Sequence, residues 1–89
     1  MNTTPIPYRY EQRHYPNNNS WYRELIFRDN TVVGEIREPV ESTAAHKIYN
    51  VCKYEPLEVA DGVVHIAQVI QSFNRVIDAK EFVNNGGIN

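Results

Sequence analysis

The sequence predicts a small α+β domain: a three-stranded antiparallel β-meander packed on one face by a short helix and a longer carboxy-terminal helix. Three observations predict this fold. Residues 21–38 alternate between apolar and polar side chains around one turn-forming pair, residues 8–15 alternate less regularly, and residues 58–83 repeat apolar side chains at helical spacing. The chain has 89 residues and is 42% hydrophobic, which leaves room for a single domain with one core.

The first predicted strand covers residues 8–15, YRYEQRHY. Tyr8, Tyr10 and Gln12 would point to one face of this strand, because side chains alternate along β-structure. Pro16 and the asparagine-rich turn after it end the strand. Residues 1–7 contain two prolines and no periodicity, so we expect them to be flexible. The strand is expected to pair antiparallel with the next one.

Asp29 and Asn30 are predicted to close a two-residue hairpin between residues 21–28 and 31–38, because both tolerate positive φ. A type I′ turn at this pair sets Phe27 opposite Val32 and Leu25 opposite Gly34. The predicted apolar face then consists of Trp21, Leu25, Phe27, Val32 and Ile36. Gly34 would leave room on that face for a helix to pack closely, and a β-bulge at Gly34 is the alternative.

The segment after Pro39 allows two interpretations. Ser42 or Thr43 can cap a helix with apolar residues at helical spacing, namely Ala44, Ala45, Ile48, Val51 and Cys52. A fourth strand over residues 46–54 is the alternative, favoured by β-branched and aromatic side chains. We expect the helix, because Asn50 and two adjacent alanines disfavour a strand.

The longer helix is predicted from Glu58 onward, because Pro56 interrupts the preceding element. Its apolar stripe consists of Val59, Val63, Ile66, Ala67, Ile70, Phe73 and Ile77. The helix either continues to Val83 or bends near residues 72–74 and leaves a separate last segment, VIDAKEFV. Gly86 is placed for a left-handed C-cap. Residues 85–89 are expected to be flexible.

Charge and composition predict a cytoplasmic protein without an internal disulfide. The net charge is −2, and the small basic excess near the amino terminus is too weak to predict nucleic-acid binding. Cys52 is the single cysteine, which fits a reducing compartment. The longest apolar runs are too short to span a bilayer, and the amino terminus lacks the features of a signal peptide.

No group of residues predicts catalysis, a metal site or a cofactor. Glu58, Asp61 and His65 would share one helix face, but zinc requires three or four ligands. An acidic first helical turn is the simpler interpretation. Cys52 lies on an apolar stripe away from His46, which favours a buried inert thiol. The phosphate-binding patterns GxGxxG and GxxxxGK[ST] are absent.

Aromatic and basic residues concentrate within residues 8–23, and they form the predicted partner-binding site. Tyrosine, tryptophan and arginine carry much of the binding energy at protein interfaces, because they bury large rigid areas and keep a polar end. Helices that cover one face of a sheet leave its other face open, so Tyr10 or its neighbours would stand in water. The predicted partner-binding residues are Tyr8, Arg9, Tyr10, Arg13, His14, Tyr15, Tyr22 and Arg23.

These features predict a small non-enzymatic protein that occupies a surface of a macromolecular partner, a protein in preference to a nucleic acid, and no membrane. Size and lack of motifs suggest a phage or mobile-element accessory protein that inhibits a host defence system such as a nuclease complex. The alternative is a single-stranded nucleic-acid-binding module that uses stacked Tyr and Trp rings and Arg contacts. An edge strand at residues 8–15 could also pair with its copy and form a homodimer.

Overall fold

The computed structural model describes residues 8–14 and 21–89, and over these residues it contains five strands and one helix. The strands are β1 (Tyr8–Gln12), β2 (Arg23–Arg28), β3 (Thr31–Arg37), β4 (Tyr49–Val59) and β5 (Gly62–Phe73), and the helix is α1 (Val76–Asn84). The strands form one antiparallel sheet in the order β1-β2-β3-β4-β5. The fold is therefore mostly β, and the predicted three-stranded meander with two helices is wrong.

The first two strands pair as the sequence predicts. β1 begins at Tyr8 and runs antiparallel to β2, although the ladder ends at Gln12 and not at Tyr15. The predictions for residues 1–7 and for the turn after Pro16 lie outside the described residues. Strand β1 lies at one edge of the sheet, as the predicted edge pairing requires.

Asp29 and Asn30 form the predicted turn between β2 and β3. Asp29 has a φ of 56°. Among the described non-glycine residues no other φ is positive, so the φ of Asn30 is not. A type I′ turn needs positive φ at both central residues. The predicted position of the hairpin is therefore confirmed, and the predicted turn type is wrong.

A β-bulge in β3 changes the register of this hairpin. Phe27 lies opposite Val32 as predicted, but Ile26 lies opposite Gly34. Val33 is the extra residue, since a bulge sets two residues of one strand against one of its partner. The alternative interpretation of this region as a bulge is thus confirmed, and the predicted pairing of Leu25 with Gly34 is wrong.

The bulge also changes which side chains reach the core. Ile26 and Ile36 are fully buried, whereas Leu25 and Phe27 lie on the opposite face of the sheet, because alternate residues of one strand point in opposite directions. A Cβ atom at Gly34 would overlap the backbone carbonyl of Cys52. Gly34 therefore makes room for β4, and not for a helix as predicted.

Strands β4 and β5 replace most of the two predicted helices. Strand β4 confirms the alternative of a fourth strand, and β5 occupies the centre of the predicted longer helix. The reason is the density of valine and isoleucine in residues 63–70, since β-branched side chains favour strands over helices. Ala60 and Asp61 form the turn, followed by Gly62 at a φ of 137°, an angle that side chains rarely permit.

Helix α1 is the separate last segment that the sequence allowed as an alternative. Its C-terminus closes with two hydrogen bonds: the Gly86 N–H donates to the Val83 carbonyl at 3.0 Å, and the Gly87 N–H donates to the Phe82 carbonyl at 2.9 Å. Gly86 has a φ of 94°, so the predicted left-handed C-cap is confirmed. Ile88 is 5% exposed and belongs to the core. The chain end predicted to be loose therefore packs against the sheet.

The core lies between α1 and one face of the sheet, which we call the helix face. Its buried residues are Ile26, Ile36, Val51, Ala79, Val83 and Ile88. Aromatic rings enclose them, with Phe73 against Phe82 at a centroid distance of 5.3 Å. The opposite side of the sheet is called the open face. The described part of the chain contains no helix with the length and apolar content needed to cross a membrane.

Candidate protein-binding surface

Strands β4 and β5 continue past the core as a projecting hairpin, which we call the arm and define as residues 55–70. All of these residues are exposed except Ala67, which is half-buried. Val51 and Cys52, just before the arm, are fully buried. Strand β3 pairs with β4 only as far as Lys53, so within the described residues the arm is a two-stranded ribbon with two free edges.

The arm is held together by a long antiparallel ladder. Every β5 residue from Gly62 to Val69 lies opposite a β4 residue, from Val59 back to Cys52. The ladder is interrupted only where Ile70 forms a bulge near the base. The arm is therefore a regular β-hairpin from its turn to the edge of the core.

Large apolar side chains cover both faces of the arm. Of the nine exposed large apolar side chains in the described residues, seven belong to the arm, and they are 41–57% exposed. They are Leu57, Val59, Val63, Val64, Ile66, Val69 and Ile70. Soluble monomers rarely expose contiguous apolar patches of this kind unless the patch binds something.

The cross-strand pairs assign these side chains to faces, because directly opposed residues share a face. Leu57 lies opposite Val64, and this pair continues the helix face with Ile66 and Val59. Val63 lies on the open face with Val69. Neither face of the arm is covered by α1, which packs at the base of the sheet around Val51.

The charges of the arm are all negative. Glu55, Glu58 and Asp61 lie in residues 55–70, which contain no lysine or arginine. Strand β5 contains no Asp, Glu, Lys or Arg at all. The arm is therefore unsuited to a phosphate backbone, which proteins contact with basic side chains.

The three described tyrosines of the predicted binding site lie on the helix face. Tyr8, Tyr10 and Tyr22 are half-buried and pack against the core. The Tyr10 hydroxyl donates to Asn84 Oδ1 at 2.8 Å, and the Lys80 ammonium lies 4.6 Å from the Tyr10 ring centroid. Burial and the negative charge of Glu24 raise the pKa of Tyr10 to about 12. Of the residues expected to stand in water on the open face, Tyr10 does not, because its strand directs it towards α1, whereas its neighbour Arg9 is exposed on that face.

The arginines of the predicted site lie on the open face, where Glu11 bridges two of them and Glu35 bridges the third to Arg37. Glu11 pairs with Arg9 and, at 2.6 Å, with Arg13. Hydrogen bonds from Arg13 and Arg9 lower the pKa of Glu11. The Arg9 guanidinium also lies 4.3 Å from the Phe27 ring centroid, a cation–π distance.

Glu35 forms the second bridge and is 2% exposed. It pairs with Arg23 at 3.2 Å and with Arg37 at 3.0 Å, and it accepts a hydrogen bond from the Tyr54 hydroxyl at 2.8 Å. Burial and this bond raise the pKa of Tyr54 to about 12. Through Arg23, Glu35 and Tyr54 this cluster connects β2, β3 and β4.

The structure thus separates the predicted site into tyrosines on one face and arginines on the other. His14 is exposed after the end of β1, and Tyr15 lies outside the described residues. Four arginines and two glutamates give the open face a net positive charge near β1 to β3, while the arm is acidic. These are two chemically different surfaces on one sheet.

Neither a metal-binding cluster nor an unpaired buried side-chain polar atom is found among the described residues. In residues 8–14 and 21–89, no three His, Cys, Asp or Glu side chains are placed to hold a metal ion. Every buried side-chain nitrogen or oxygen in the same part of the chain has a hydrogen-bond partner. Burial raises the pKa of the Cys52 thiol, which favours the unreactive protonated form.

The sequence prediction missed the arm because the same apolar residues were assigned to a buried helical stripe. The signal that could have located it is Asp61-Gly62, which follows Leu57 and Val59 and precedes Val63 and Val64. Asp-Gly between such apolar residues is one of the strongest short-range signals for a hairpin. A scan against protein-family models, a search of curated proteins and a search of solved structures found no match to this chain.

Proposed function

We propose that this protein is a non-enzymatic binding protein that acts by burying the apolar faces of its arm against a protein partner. The observation that carries the proposal is the set of seven exposed apolar side chains on the arm. Removing apolar surface from water is favourable by about 25 cal/mol per Å². A partner that covers both faces of the arm would therefore gain affinity from side chains that contribute little to the fold.

The chemistry of the arm favours a protein as its partner. Residues 55–70 present aliphatic side chains and three carboxylates without a basic residue. A protein cleft lined by apolar groups, with basic residues at its rim, would complement this surface. Occupying a partner's surface is also the way a small inhibitor acts, so the hypothesis of a phage or mobile-element inhibitor stays a prediction within this proposal.

The proposal is tested with a variant that makes the arm polar but keeps its β-structure. Val63→Thr, Val64→Thr and Val69→Thr together replace a methyl group by a hydroxyl on both faces, and threonine suits strands as well as valine does. We expect this triple variant to lose most of the partner captured by wild-type protein from a native-host lysate. Val40→Thr with Ile77→Thr is the matched control, because these side chains are 72% and 67% exposed but lie outside the arm.

We expect both variants to fold, because all five replaced side chains are exposed. Thermal melts check that they do. We expect the control to capture the wild-type partner at the wild-type level. Equal capture by the triple variant would contradict the proposal and would favour a binding site on the residues of β1 and β2.

A second candidate function follows from the open face. Arg9, Arg13, Arg23 and Arg37 share this face with only two glutamates, which favours an acidic partner such as single-stranded nucleic acid. Arg9 and Arg13 are the more accessible pair, with side chains 48% and 45% exposed. Binding to oligonucleotides that falls steeply with salt, and falls further in Arg9→Ala with Arg13→Ala, would support this candidate.

A further inference from the structure

We infer that the free edge of β5 pairs antiparallel with β5 of a second copy of this chain, giving a two-fold symmetric dimer with one continuous ten-stranded sheet. The inference concerns the edge of the arm and rests on the proposed function only in using the same arm, whose faces would bind the partner. In such a pairing each copy contributes the same residues to the interface.

The first step of the argument is that β5 has an unpaired edge. It is the last strand in the order β1-β2-β3-β4-β5, and its one neighbour in the described residues is β4. Eight consecutive residues, 62–69, lie in a regular ladder before the bulge at Ile70. The outer side of this segment presents backbone N–H and C=O groups in the spacing that another strand requires.

The second step is that β5 lacks the features that keep edge strands apart. Natural edges are protected by charged side chains, proline or short length. Strand β5 has 12 residues without a charged residue or proline. The opposite sheet edge, β1, has five residues and carries Arg9 and Glu11, so it is the less suited of the two edges for pairing.

The β4 edge of the arm provides a comparison within the same hairpin. Beyond Lys53 this edge is also unpaired in the described residues, but it contains Pro56 between Glu55 and Leu57, with Glu58 close by. Proline cannot donate to a ladder, and pairing this edge with its own copy would bring glutamates close together. Protection is therefore present on one edge of the arm and absent on the other.

The third step is that a second copy fits this edge better than an unrelated strand. A strand without charges places no like charges opposite each other when it pairs with itself, and it offers no charge pattern by which another protein could be selected. Antiparallel pairing about a two-fold axis sets the valine and isoleucine side chains of one arm beside those of the other. These side chains are half-exposed in the monomer.

The two glutamates of the arm do not oppose this dimer. Glu55 and Glu58 lie on β4, and two β5 strands would separate them from the partner's β4. Three strand spacings amount to about 14 Å, which exceeds the screening length of about 8 Å at physiological ionic strength. The dimer would also join the apolar faces of two arms into one surface of about twice the area.

The test is the oligomeric state of wild-type protein and two charge-matched variants by sedimentation equilibrium. His65→Lys with Ile66→Lys adds two positive charges to the middle of the regular β5 segment, one on each face. Leu57→Lys with Val59→Lys adds the same charge to β4 of the same arm. We expect a concentration-dependent dimer for wild-type protein, at least a tenfold weaker dimer for the β5 variant, and a dimer within about threefold of wild type for the β4 variant.

Three results would overturn the inference. They are a wild-type monomer up to millimolar concentration, a dimer that persists in the β5 variant, and equal loss of the dimer in both variants, which would assign the contact to the faces of the arm. Amide hydrogen exchange of wild-type protein tests the same point without a substitution. Outward-pointing amides of residues 62–69 should exchange at least tenfold more slowly at high than at low protein concentration, and equal exchange would overturn the inference.

The two proposals fail separately in these experiments. The threonine variant of the arm keeps the backbone edge of β5 and should remain a dimer while it loses the captured partner. A monomeric wild-type protein with partner capture that depends on the arm would overturn the dimer and leave the proposed function standing. A dimeric wild-type protein whose threonine variant still captures the partner would overturn the proposed function and leave the dimer standing.

Discussion

Lys80 of α1 and Glu24 of β2 form an ion pair at 2.9 Å that joins the helix to the sheet. Glu24 is 7% exposed and also accepts a hydrogen bond from the Tyr22 hydroxyl. The Lys80 ammonium lies over the Tyr10 ring as well. The Lys80 side chain therefore links α1 to β1 through Tyr10 and to β2 through Glu24.

Replacing Lys80 by methionine should destabilise the protein by about 1–3 kcal/mol, because it leaves a mostly buried carboxylate without its cation. Urea denaturation measures the change. Arg75→Met is the control on the same part of the chain, since its ion pair with Asp78 is on the surface and such pairs contribute little. Equal midpoints for Lys80→Met and wild-type protein would contradict the role of this pair.

The separation of core from arm predicts opposite outcomes for two isoleucines. Ile26→Ala should cost about 2–5 kcal/mol, because Ile26 is fully buried in the core. Ile70→Ala should cost under about 1 kcal/mol, because Ile70 is 41% exposed and lies at a bulge of the arm. Thermal melts of the two variants check this, and a larger loss at Ile70 would show that the arm is covered in the folded protein.

Gly34→Ala should destabilise the sheet by at least about 1–3 kcal/mol, because the new Cβ would overlap the Cys52 carbonyl and the backbone of β3 or β4 must move. Chemical denaturation gives the loss, and amide exchange at Cys52 and Lys53 reports the opening of the β3–β4 ladder. Glu41→Ala is a control at an exposed position. Wild-type stability in Gly34→Ala would contradict the close approach of Gly34 to the Cys52 carbonyl.

The tyrosines predict a loss of stability at alkaline pH. Tyr10 and Tyr54 each have a pKa raised from 10.0 to about 12, chiefly by burial. Between these values the unfolded chain has released protons that the folded protein still holds, so stability is fully present below pH 10 and falls as the pH rises from 10 to 12. Urea denaturation at pH 8, 10 and 11 measures the slope, which should be smaller in Tyr10→Phe. An unchanged slope in that variant would contradict the assignment to Tyr10.

The sequence predicted the elements whose patterns had one interpretation. The turn at Asp29 and Asn30 has no competing turn-forming pair nearby, and α1 ends at Asn84, two residues before the left-handed Gly86 that was predicted to cap it. The predicted pairing of β2 with β3 was wrong beyond Phe27, because a bulge at Val33 adds one residue to β3. The apolar residues on both sides of Val33 fit either register. Alternation of apolar and polar residues does not specify which residue is extra.

The larger error concerned residues 58–73, where helical and strand spacing could not be told apart. A segment such as VVHIAQVI is apolar at so many positions that it satisfies both periods. Its side chains also face water in the structure, whereas pattern analysis assumes that apolar residues are buried. An exposed apolar surface breaks that assumption, so the periodicity of side chains did not identify the arm, and the Asp61-Gly62 pair was the signal that remained.

The order of strands in the sheet also bears on how the chain folds. Among the described residues each strand pairs only with its neighbours in sequence, and no two paired strands are separated by more than 11 residues. Contacts between distant parts of the chain arise when α1 docks, as in the bond from Tyr10 to Asn84. Folding rates rise as contacts become more local, and we expect the hairpins to form early and independently, with helix docking as the step that makes the structure cooperative.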